Sequence, residues 1–102
     1  MNKLLTLGMF NRQGMKAFNE GRYGDAIFQL NQASMIACQM KTPLHTAKVC
    51  NNIGLVHMGT GNQNEALTHF RKAEEAAVEG AGPGNSLHRT ILRNMGQLAK
   101  AA

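Results

Sequence analysis

An internal repeat constrains this chain more than any other feature. Gly14, Gly21, Ala26, Ala33 and Ala37 recur forty positions later as Gly54, Gly61, Ala66, Ala73 and Ala77, with no gap between the copies. Apolar Ile27 and Leu30 return as Leu67 and Phe70 under the same shift. A third, partial copy carries Ile53-Gly54 into Met95-Gly96 at a shift of 42. A unit of this length is one supersecondary element, which buries its apolar face by stacking on the next. Composition points to helices as the element. Hydrophobic residues make up 43% of the chain, but only 5% is aromatic, tryptophan is absent and seven residues are methionine. Small and flexible apolar side chains suit close-packed helices better than a β-sandwich, which needs β-branched and aromatic strands.

Each unit reads as a helical hairpin. A first helix carries a glycine at its middle, and the chain then turns at Asn19-Glu20-Gly21 or Gly59-Thr60-Gly61. A second helix starts near Asp25 or Asn64, residues suited to a helix N-terminus. A mid-helix glycine costs about 1 kcal/mol against alanine, so it needs a packing reason. The expected reason is close approach of the paired helices, Gly14 facing Ala26 and Gly54 facing Ala66. Between units, Thr42 is the expected cap with Pro43 in the first turn. The run Gly80 to Ser86 breaks the chain again before a last helix. The predicted helices cover about 3–19, 24–40, 43–59, 63–79 and 86–101. The expected fold is therefore all-α, a helical superhelix or solenoid of two hairpins plus a C-terminal fifth helix. It forms a single domain over 1–102, with repeat 1 at about 7–40, repeat 2 at about 47–80 and the last helix at about 86–101.

Gly14, Gly21, Tyr23, Ala26, Leu30 and Ala33 resemble the signature of the tetratricopeptide-repeat (TPR) family, as do Gly54, Gly61, Ala66, Phe70 and Ala73. The family's ordinary unit is about 34 residues. The 40- to 42-residue spacing here resembles the longer-helix type found in kinesin light chains and LGN-type polarity adaptors. Two positions depart from the pattern. The usual first-helix tryptophan is replaced by Phe10, Cys50 and Leu92, and polar Gln13 stands where the family prefers leucine.

The resemblance implies a non-catalytic scaffold that holds a protein or peptide partner. It places the first helix of each unit on a concave groove and the second outside. One face of the first helices repeats at spacings of four, three and four, a single helical stripe. That stripe reads Gly8, Arg12, Met15, Asn19, then Lys48, Asn52, Leu55, Gly59, then Thr90, Asn94, Gln97, Ala101. The opposite stripe is Phe10, Gly14, Ala17, then Cys50, Gly54, His57, then Leu92, Gly96, Ala99, and is expected to be packed. Asn52 and Asn94 hold the same place in successive units. An asparagine amide both donates and accepts, so it can satisfy both backbone groups of an extended peptide residue, the use such asparagines have in proteins of this family. The candidate peptide-binding residues are Arg12, Met15, Asn19, Lys48, Asn52, Leu55, Arg93, Asn94 and Gln97.

Eleven Lys and Arg against six Asp and Glu give a formal charge of +5. The first-type helices carry Lys3, Arg12, Lys16, Lys48, Arg89, Arg93 and Lys100, with Glu20 the only acid, at a helix end. A basic groove favours an acidic peptide or a free C-terminal carboxylate. The charge-clamp pattern of chaperone-binding repeats is not reproduced, because Asn11 and Met15 stand where lysine and asparagine would be wanted.

Other functions find less support. No Ser/His/Asp set, phosphate loop or cofactor motif gives an enzyme a residue to work with. His45, His57, His69 and His88 are never four apart, and no cysteine joins them at a ligand spacing, so no metal site is expected. His57 is expected to be a hydrogen-bonded core residue. Cys38 and Cys50 read as small buried apolar residues without a disulfide framework, which suits a reducing cytoplasm. Nucleic-acid binding through the basic last helix lacks stacking aromatics and a recognised motif. The opening Met1 to Leu7 reads as the first helix rather than a signal peptide, and nothing is long enough to span a membrane. The alternative to a peptide-binding adaptor is a homo-oligomeric assembly element. Leu4, Leu5, Leu7 and Met9 at one end and Ile91, Met95 and Leu98 at the other are expected to be exposed at uncapped faces.

Overall fold

A computed structural model describes residues 2–101. Five α-helices follow one another: α1 (Lys3–Asn19), α2 (Tyr23–Met40), α3 (Pro43–Gly59), α4 (Gln63–Ala81) and α5 (Ser86–Ala101). The sequence placed every helix end within about two residues.

The forty-residue repeat is a repeat of backbone geometry. Both hairpin turns end their first helix in a Schellman motif, for which the residue after the cap must be left-handed. Gly21 and Gly61 fill that position at φ +79° and +82°. In each, the following N–H reaches back to the last full turn, Arg22 to the Ala17 carbonyl and Asn62 to the His57 carbonyl, both at 2.8 Å. Arg22 and Asn62 then begin the second helices with the same backbone angles, φ −90° and ψ 73°, and neither caps through its side chain.

The other helix starts are capped in different ways. Asn2 Oδ1 accepts from the Leu4 and Leu5 N–H groups at 2.9 and 3.2 Å. Thr42 stands at the α3 N-cap, as expected, yet its hydroxyl makes no capping bond and is buried without a partner. Pro43 follows in the first turn, where its missing N–H costs nothing. At α5, Asn85 Oδ1 accepts from the His88 N–H while its Nδ2 donates to the Ala77 and Gly82 carbonyls. One amide thus closes α4 and opens α5.

α1, α3 and α5 form an inner layer in which α3 touches both of its neighbours. Behind them α2 packs on α1 and α3, and α4 packs on α3 and α5, whereas α2 and α4 do not meet among the described residues. Helices that touch on one side of a sheet of helices and separate on the other curve the array, with the inner layer concave. The body measures 42 × 34 × 18 Å, its short dimension matching two helix layers at the roughly 8–10 Å spacing of packed helices.

Two apolar clusters run through the layers. Leu7, Ala17, Leu30, Val49, Ile53 and Val56 belong to the first, and Cys50, Phe70, Ile91 and Leu98 to the second. Leu30 and Phe70 are fully buried, each stabilising the fold by about 1.5–3 kcal/mol relative to exposure. These two side chains explain the mid-helix glycines. A Cβ on Gly14 would stand 2.7 Å from Leu30 Cγ, and one on Gly54 would stand 2.6 Å from the Phe70 ring. The expected facing partners were Ala26 and Ala66. The Ala26 carbonyl oxygen does stand 3.2 Å from the Gly14 Cβ position, but at both glycines the nearest atoms belong to the long side chain one turn further along the helix.

Candidate functional site

The inner layer presents the candidate stripe in register. Arg12, Asn19, Lys48, Arg93 and Gln97 are exposed, while Met15, Asn52, Leu55 and Asn94 are half-buried. Met15 packs on the first cluster and Leu55 on the second, so both contribute to the core as well as to the surface. The Arg12 guanidinium folds back along its own helix, its Nη1 3.1 Å from where a Gly8 Cβ would lie. Gly59 is approached by the ring of Phe18, which would stand 2.7 Å from a Cβ there. The Gly59 end of the α3 stripe therefore faces α1.

The asparagines of the stripe have partners within the chain. Asn52 Nδ2 donates to Asn11 Oδ1 at 2.8 Å, from α3 to α1. Asn94 Nδ2 donates to Asn51 Oδ1 at 2.9 Å, from α5 to α3. The same amide–amide bond thus joins each inner helix to the next, one unit apart. Asn11 and Asn51 are the partner residues on this face that the repeat pattern missed. Asn51 is buried at 6% exposure among apolar neighbours, a position that makes sense only with a partner. The adjacent pair Asn51-Asn52 was the available signal in the sequence.

The opposite stripe is packed on α1 and α3 but bare on α5. Gly14, Ala17, Cys50 and Gly54 are buried and Phe10 and His57 are half-buried, whereas Leu92, Gly96 and Ala99 are exposed. A Cβ on Gly96 would meet nothing within 4 Å. On α1 and α3 this stripe is covered by α2 and α4, and no sixth helix follows α5 among the described residues. The expected C-terminal exposed set is corrected accordingly. Ile91 and Leu98 are buried at 0% and 5%, Met95 is half-buried, and Leu92 at 45% is the exposed residue. At the other end Leu4, Leu5 and Met9 are exposed as expected, while Leu7 is buried at 4%.

Charge is divided between the layers. α1, α3 and α5 contain seven basic residues and no Asp or Glu, and all seven are exposed. Among the described residues none of the seven pairs with a carboxylate. Glu20 lies just past α1 and is held by Arg22, which also binds Asp25 at 2.8 Å. That guanidinium keeps the Glu20 carboxyl below its usual range, and the two carboxylates raise Arg22 in turn. Lys16 lines a hollow of about 240 Å³ with Gln13, Ala17, Arg22 and Gln29, at the α1–α2 edge.

The histidines and cysteines depart from expectation. The His57 side chain is half-buried, and its Nδ1 is enclosed with no hydrogen-bond partner. Burial, reinforced by neighbouring His69, holds it below the ordinary imidazole range despite an opposing pull from Glu65. His88 is buried, and its Nδ1 accepts from the Gly84 N–H at 2.9 Å. The proton therefore sits on Nε2, which lies 3.2 Å from Glu74 Oε2 and locks α5 to α4. Cys38 is exposed rather than buried. Cys50 is buried, and loss of solvation pushes its thiol up against a smaller opposing effect of Lys72.

No described helix is long and apolar enough to cross a membrane. No solved structure matches the chain. Residues 47–77, which span most of α3 and α4, match the tetratricopeptide repeat model. Repeats of this family generally mediate protein–protein interaction, and their all-helical fold is typically non-enzymatic. That match and the helical architecture around it support a tetratricopeptide-repeat assignment, carried by residues 47–77.

Proposed function

We propose that the chain is a non-catalytic adaptor whose inner layer binds an acidic or extended segment of a partner protein. The observation that carries this reading is the charge division, seven exposed basic residues on α1, α3 and α5 with no acid among them. A one-sign surface on a concave face focuses its field and attracts opposite charge. Arg12, Lys48 and Arg93 would meet carboxylates, Met15 and Leu55 would offer partly open apolar contact, and Asn19 and Gln97 would hydrogen-bond the ligand. Asn52 and Asn94 each spend one amide proton on the neighbouring helix, which leaves the carbonyl oxygen and the second proton for a peptide backbone. The forty-residue spacing of equivalent positions supports the longer-unit type of repeat. The two unpaired cysteines fit a reducing cytoplasm.

The test is binding of a fluorescent poly-glutamate peptide, measured against salt. Arg12→Glu, Lys48→Glu and Arg93→Glu should each weaken binding and flatten its salt dependence, while Glu75→Lys on the outer layer should leave it nearly unchanged. Binding that is lost on Glu75→Lys and survives the three reversals would move the site off the inner layer. A duplex DNA that outcompetes the peptide would favour nucleic acid instead.

A second reading, self-assembly, is favoured by the apolar residues at both ends: Leu4, Leu5 and Met9 on α1, and Leu92 on α5.

A further inference from the structure

We propose that His57, Glu65 and His69 form a zinc-binding site that clasps the end of α3 to the start of α4. One potential ligand atom from each of the three lies within 4.8 Å of the other two. This set does not have the spacing of two histidines four apart on one helix. It is built across the hairpin turn from two histidines twelve positions apart, with Glu65 one turn before His69.

Three observations favour a ligand over simple packing. The His69 Nδ1 lies 2.9 Å from the Glu65 carbonyl oxygen and so carries the proton, leaving the Nε2 lone pair free. Metal-binding histidines are commonly oriented in this way, by a second nitrogen that donates to a backbone carbonyl. The two imidazole rings sit 5.4 Å apart and inclined at 27°, and the Nδ1 of His57 is buried without a partner. Finally, the fold does not need this set. The forty-residue shift places Ala17, Asp25 and Gln29 at the equivalent points of the first unit, which builds the same hairpin turn without a histidine.

Two imidazoles and a carboxylate suit a first-row divalent ion of borderline softness, and zinc with three protein ligands keeps a fourth position for water. The edges of a zinc tetrahedron are about 3.3 Å, so the ligand atoms, which lie within 4.8 Å of one another, need to close by at most about 1.5 Å. Glu65 is exposed and His69 half-buried at the surface, so their side-chain torsions can supply that movement.

The test uses untagged, chelator-treated full chain titrated with zinc by calorimetry, and with cobalt(II) followed by its visible absorption. One zinc per chain, a tetrahedral cobalt spectrum and a raised melting temperature are expected. His69→Gln and Glu65→Gln, both at surface positions and checked for helicity, should each weaken zinc binding roughly tenfold or more. His45→Gln, outside the set, should not. Absence of binding at about tenfold excess of metal would overturn the proposal, as would binding that survives both variants or disappears in His45→Gln.

Discussion

The ring of Phe70 occupies the space that any side chain on Gly54 would need, with two of its carbons 2.6 Å from a Cβ built there. Gly54→Leu should therefore destabilise the protein by about 1–3 kcal/mol, the usual cost of overpacking. Gly96 supplies the matched control, because it holds the same place in the repeat with open space before it. Gly96→Ala should stabilise α5 by up to about 1 kcal/mol through helix propensity alone. Thermal denaturation of the two variants checks both signs, and an unchanged midpoint for Gly54→Leu would mean the hairpin is packed differently.

The paired amides make a separate prediction. Asn94→Ala should cost about 0.5–1.5 kcal/mol, with the upper part of the range expected because Asn51 is left buried and unpaired. A double-mutant cycle between Asn51 and Asn94 should show coupling of about 0.5 kcal/mol or more in denaturant titrations. Additive effects would show that the bond contributes nothing in solution.

The apolar ends predict concentration-dependent association. Light scattering at high micromolar concentration should give a mass above the 11.1 kDa of one chain. Leu92→Lys, on the bare stripe of α5, or Leu5→Lys, 70% exposed on α1, should restore it to that value. A wild-type chain that stays monomeric throughout would remove self-assembly from consideration.

The two thiols should behave differently. At neutral pH one equivalent of a thiol reagent should react promptly, at Cys38, and a second only after denaturation. Because folding raises the Cys50 thiol, its contribution to stability is complete below the unfolded value of about 8.5 and is lost as pH rises through the folded one. Denaturation midpoints should fall on the alkaline side in the wild type, and less steeply in Cys50→Ala.

Local chemistry accounts for what the sequence made legible. Helix ends were readable because Gly21 and Gly61 occupy left-handed positions and Pro43 sits in a first turn, all of which are local facts. The all-α repeat followed from them. Partners across helices were not readable, because they depend on the relative register of two elements. Hence Leu30 and Phe70, one turn beyond Ala26 and Ala66, are the side chains nearest the glycines. Asn11 and Asn51 went unnoticed as partners of Asn52 and Asn94 for the same reason. The exposure of Leu92 and burial of Ile91 turn on which face of α5 meets α4, and periodicity offers both faces equally. His57 and His69 belong to the same class: twelve residues apart in sequence, they become neighbours only once the hairpin closes.

Every other helix of the chain touches α3, and α1 and α5 share no contact of their own among the described residues. Information of any kind, a bound ligand's ordering or a mutation's strain, must therefore cross α3 to travel between the ends. Loosening α1 or α5 should resemble fraying, confined to one edge, whereas loosening α3 should dissolve both hairpins together. Hydrogen exchange would then rank α3 amides slowest, and the molecule would behave as two flaps hung on a single hinge-pin rather than as a uniform coil of repeats.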